Sequence, residues 1–171
     1  MSTIQAMCVS TPAARSTDVL SVADAGFDAL KNLLAEFDLA LLQVPEGMPI
    51  PGSYWGEPEA GIIGNNVYVR ADTPLHSALH EACHLIVLPA DKRAQVHTDA
   101  TDSIAEEDAT CYLQIALADR LPGIGSARLM ADMDTWGYTF RLGSAQAWFE
   151  RDASDARAWL ETRLPGVLKN A

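Results

Sequence analysis

The chain has 171 residues, 49% hydrophobic and 20% charged, which suits one domain with a real core and excludes a disordered tail or a stapled miniprotein. A formal charge of −11 with no cluster of Lys or Arg excludes general affinity for nucleic acid or an anionic membrane, because both need concentrated positive charge. Three widely spaced cysteines, Cys8, Cys83 and Cys111, suit reduced thiols, and neither a secretory leader nor a membrane-length apolar run is seen, so a cytoplasmic protein is expected.

Residues 1–16 are small and polar and are read as a loose N-terminal arm; residues 17–171 are read as a single domain. From 18 to about 37, Leu20, Ala23, Phe27, Leu30 and Leu34 recur at helical spacing and predict the first helix. "LALLQV" (39–44) either continues it or forms a buried strand, and the Pro- and Gly-rich "PEGMPIPGSYWGEPE" is a loop. "AGIIGNNVYVRA" predicts a hairpin turning at Gly64-Asn65-Asn66, with Val67, Tyr68, Val69 and Arg70 in its second strand. Thr73-Pro74 then starts a helix that Pro89 stops near Leu88, with Thr73 expected to cap the free amides. After a polar connection, "SIAEEDATCYLQIALADRL" predicts a second strong helix. "SARLMADMDTW" and "AQAWFERDASDARAWLETRL" predict C-terminal helices, with "WGYTFRLG" between them as a loop or short strand. The expected fold is α+β: mainly helical, with a small antiparallel sheet beside the helix that follows the hairpin.

That helix carries "ALHEACHLIV". Each helical residue advances about 100°, so His80 and His84 lie only about 40° and one turn apart, and both imidazoles can reach one ion. Leu75, Leu79, Ala82 and Ile86 form the other side, which lets the helix bury its leucines while turning both histidines to a cleft. Glu81 sits beside them, placed to act as a general base toward a water activated by the ion. Two neutral imidazoles suit zinc, which needs a third protein ligand and an open position. No further His follows at close spacing, so that ligand is expected from the next helix, where Glu106, Glu107 and Asp108 are offered. Glu106 leads the apolar stripe Ala109, Leu113 and Leu117, and is the acid aimed inward; Glu107 leads Thr110 and Gln114, a side suited to water. Two alternatives stay open. Ser103 and Glu106 also match a capping box, and Asp108 is the next ligand candidate.

Across residues 60–121 the hairpin strand, the HExxH helix and the Glu-led helix together resemble gluzincin metallopeptidases, and among them the ImmA/IrrE-type peptidases. In that family the Glu-led helix shows Glu, two residues, Ala, then Asn or Asp, with an aromatic two residues on; Glu106, Ala109, Thr110 and Tyr112 take those places. The resemblance implies a zinc peptidase with ligands His80, His84 and Glu106 and catalytic base Glu81. Thr110 departs from the pattern, which leaves open the source of the hydrogen bond expected to orient a ligand histidine, with Asp108 or another acid as the candidates. The family's strand before the active helix pairs with an extended peptide, a role for which "NVYVR" stands in place.

The expected partner is therefore a peptide or protein substrate, a regulatory protein being one candidate, with no nucleic acid or membrane. The alternative is a non-enzymatic regulatory or interaction protein whose metal site is structural or vestigial. His76 and His97 are read chiefly as surface histidines, Tyr138 and Arg141 as packing or surface groups, and Cys83 and Cys111 as buried thiols. Trp136, Trp148 and Trp159 are expected to fill the C-terminal core.

Overall fold

The structure, a computed structural model, describes residues 18–100 and 103–169; the expected N-terminal arm lies outside them. The expected first helix is two. A Ser21–Asp24 capping box starts α1 (Val22–Ala25), and Gly26, at φ 88° and ψ 116°, breaks the chain before α2 (Phe27–Ala35). Gly tolerates that backbone at little cost, which is why the apolar period runs unbroken through two separate helices. "LALLQV" resolves as the strand β1 (Ala40–Gln43).

The hairpin forms as expected, β2 (Gly61–Ile63) and β3 (Asn66–Val69) joined through Gly64-Asn65. The sheet is mixed rather than antiparallel throughout: its order is β1-β3-β2, and β1 runs parallel to β3 with Leu41 opposite Val67. β3 is thus the central strand, and it turns Val67 and Val69 into the core. The outer side of β2 is met by the chain's own loops: Ile62 N donates to Gly52 O, Thr98 N to Ile62 O, and Gly64 N to Val96 O. Gly61 permits this closeness, because a Cβ there would run into the Pro51 carbonyl.

Helix α3 (Leu75–Val87) lies between this sheet and the helices that follow, and is buried on nearly every side. Its start differs in detail from expectation, for Thr73 Oγ1 accepts from Arg70 N at 2.8 Å instead of capping α3. Leu88, extended as the residue before a proline must be, ends it, and the short α4 (Ala90–Arg93) follows. Arg93 is buried and donates to Leu85 O in the last turn of α3 and to Phe37 O beyond α2, tying three segments together.

Ser103 caps α5 (Ile104–Ala118), the helix packed most extensively on α3. The chain ends with α6 (Ser126–Trp136), α7 (Ala145–Arg151) and α8 (Ser154–Arg163); "WGYTFRLG" is a loop with one 3-10 turn at Arg141–Gly143. Trp148 is buried in the core, and Trp136 and Trp159 are half-buried and packed against it, with Arg163 over the Trp159 ring. The described residues form one α+β domain.

Candidate metal centre

Three polar side chains meet where α3 faces α5. His80 Nε2 and His84 Nε2 are 3.0 Å apart. The carboxylate of Glu107 bridges them, Oε1 at 3.2 Å from His80 Nε2 and Oε2 at 3.3 Å from His84 Nε2. The acid that joins the histidines is therefore Glu107, not Glu106. The expectation failed because it equated the polar side of α5 with water. That side, Glu107, Thr110 and Gln114, is packed against α3, and Thr110 and Gln114 are fully buried. Glu106 sits in the first turn with its amide on Ser103 Oγ at 3.2 Å, the cap half of the expected capping box. Asp108 turns toward the C-terminal helices: burial raises its pKa to about 6, opposed by Arg141 and helped by Glu107, Asp152 and Asp155.

The triangle fits an ion. A tetrahedral zinc with ligands at 2.0 to 2.2 Å requires donor atoms roughly 3.3 to 3.6 Å apart, and the three separations are 3.0, 3.2 and 3.3 Å. The histidines are also pre-set as ligands. Gln114 Nε2 donates to His76 O at 3.0 Å, which fixes the amide and turns Oε1 to accept from His80 Nδ1 at 2.8 Å. His80 is thereby held with its proton on Nδ1, leaving Nε2 for the site. Thr110 Oγ1 stands 3.4 Å from His84 Nδ1. Thr110 thus stands beside the second histidine, whereas Asp108 does not approach either ring.

The electrostatics favour a cation. Burial raises the Glu81 pKa to about 8; the charge of His80 opposes this, and the nearby acids Glu107, Glu59 and Asp99 add to it. A positive ion among these carboxylates would pull Glu81 back toward its ionised form. Burial, then the charge of His80, lowers His84 to about 3, so it is neutral and able to ligate. For His80, burial is outweighed by the attraction of Glu107 and by hydrogen bonds to Cys111 and Glu107, which hold its pKa well above the ordinary value. Ring nitrogens of His80 and His84 and a carboxylate oxygen of Glu81 lie within 4.8 Å of one another, a separation that one water can bridge. The side chains of His80, His84 and Glu107 are 13%, 11% and 17% exposed, so the centre reaches solvent through a narrow opening.

His76, expected at the surface, is buried: its Nδ1 is 3.0 Å from Tyr138 Oη, and its Nε2 has no hydrogen-bond partner among the described residues. Tyr138 also packs edge-on against His80, with ring centroids 5.8 Å apart. His97 is exposed, its Nδ1 on Thr98 Oγ1, and Arg141 pairs with Asp152; both stay at the surface as read. Glu107 and Gln114 were the residues misread. Their signal was present: Glu107, Cys111 and Gln114 recur at helical spacing, matching His76, His80 and His84 on the facing helix. Comparison of the chain with family models, curated proteins and solved structures gives no match.

Proposed function

We propose that the chain is a zinc-dependent peptidase in which His80, His84 and Glu107 hold the ion and Glu81 is the general base. The observation that carries this reading is the ligand-ready triangle, two Nε2 atoms and a carboxylate within 3.3 Å of each other, with Gln114 fixing the tautomer of His80. Zinc, when bound there, supplies Lewis-acid activation of water and of the peptide carbonyl. Glu81, ionised by the neighbouring positive charge, takes a proton from the attacking water and passes it to the leaving amine nitrogen as the C–N bond breaks. Glu107 balances the charge of the ion, while Gln114 keeps the His80 imidazole aimed inward. A cytoplasmic setting accords with Cys83 and Cys111, neither of which is in a disulfide, and no described helix is long and apolar enough to cross a membrane. The substrate would be a peptide or protein.

Glu81→Gln tests the mechanism. Zinc content should stay at the wild-type level while hydrolysis of a mixed peptide pool is lost; undiminished turnover refutes it.

A second reading, a non-enzymatic regulatory protein with a structural or vestigial site, is favoured by the sheet. β3 is paired on both sides, and the outer side of β2 is bonded to residues 52 and 98, so the strand expected to receive a peptide is already occupied. Zinc analysis of protein purified without added metal tests for the relic, which less than about half an equivalent favours, while a full equivalent with no water on the metal favours a structural site.

A further inference from the structure

We propose that Cys111 supplies a fourth donor to this centre, so that in the resting protein the ion is enclosed by His80, His84, Glu107 and Cys111 and has no position open to water. This inference rests on the metal-site reading above. A ring nitrogen of His80, a carboxylate oxygen of Glu107 and Cys111 Sγ lie within 4.8 Å of one another. Glu107 and Cys111 are four residues apart on α5, the same relation that His80 and His84 have on α3. Each of two packed helices therefore presents a pair of donors one turn apart, and the two pairs meet at His80, which is grouped with Glu107 and Cys111 from α5 and with His84 on its own helix.

The sulfur's place supports the assignment. Cys111 is only 2% exposed, whereas the other three donors each keep a small opening to solvent. The thiol thus closes the inner side of the cluster. On binding, its proton leaves to solvent and the thiolate joins the ion, which favours zinc over harder ions such as magnesium. With sulfur in the fourth position Glu81 has no activated water beside it, and hydrolysis requires the sulfur to leave first. Cys83 is also buried but belongs to no cluster of metal-binding groups among the described residues, which makes it the control.

The test loads the full chain with cobalt(II) in place of zinc and records its absorption spectrum. The expected wild-type spectrum has visible bands of a tetrahedral ion plus a near-ultraviolet sulfur-to-cobalt band, with no change on adding azide. Cys83→Ser should be the same. Cys111→Ser should keep the visible bands, lose the sulfur band and shift its visible bands with azide, because a position has opened. Wild-type visible bands without the sulfur band would overturn the proposal and leave the three-ligand site standing. A sulfur band lost in Cys83→Ser but kept in Cys111→Ser would overturn it too, as would wild-type bands that azide shifts. Failure of the wild type to bind cobalt would remove both readings.

Discussion

Replacing Gln114 by methionine keeps the volume of a fully buried side chain and removes both of its hydrogen bonds, to His80 Nδ1 at 2.8 Å and to His76 O at 3.0 Å. Two consequences should appear on different scales. The His80 ring N–H loses its partner at a buried position, while the His76 carbonyl keeps its helical bond within α3, so the metal-free protein should be destabilised by about 1–3 kcal/mol. His80 also loses what sets its tautomer, and loss of such an outer partner weakens metal binding by about 10- to 100-fold. That is about 1.4–2.8 kcal/mol of binding free energy. Gln114→Glu separates the two effects: the carboxylate still accepts from His80 but cannot donate to His76 O, so it should lose stability while keeping zinc affinity. Urea unfolding of the metal-free variants and competition for zinc against a chromophoric chelator provide the two measurements. Unchanged zinc affinity in Gln114→Met, beside the expected loss of stability, would refute the claim that Gln114 prepares His80 as a ligand.

Glu107→Ala should weaken zinc more than about a hundredfold, beyond the loss of an outer partner, while Glu106→Ala should leave affinity within a few-fold; the same chelator competition decides, and the reverse result would restore Glu106 as the ligand. Arg93→Met removes charged donors from the Leu85 and Phe37 carbonyls and should cost about 2–4 kcal/mol by urea unfolding; a loss near zero would show that Arg93 does not hold the end of α3. In the metal-free protein the raised pKa of His80 means that its imidazolium stabilises the fold below the ordinary His range, and that this stability is lost as pH rises through the raised value. Zinc must expel that proton, so calorimetric titration at pH 7 in buffers of different ionisation enthalpy should show release of about one proton or more per ion. Release of none would mean that His80 does not ligate.

Local chemistry determined much of this protein. The spacing of His80 and His84 placed two imidazoles on one side of a helix, and Gly64-Asn65 with alternating apolar residues placed a hairpin before it. Pro89 and Ser103 bounded the two helices of the site. These features depend on neighbours within a turn or two, which is the range over which sequence speaks directly. What lay beyond that range came from packing. The run Glu106-Glu107-Asp108 points three carboxylates about 100° apart, and only the seating of α5 on α3 selects the middle one. Amphipathicity pointed to Glu106 because it assigns polar side chains to water; here Thr110 and Gln114 are fully buried, their polar groups satisfied by His84 and by His80 and His76. The parallel pairing of β1 with β3 joins strands more than twenty residues apart, and it makes the strand expected to receive substrate the centre of the sheet. The sequence by itself determined where two histidines stand on their helix; tertiary structure decided which acid meets them, because that depends on how two helices rotate against each other.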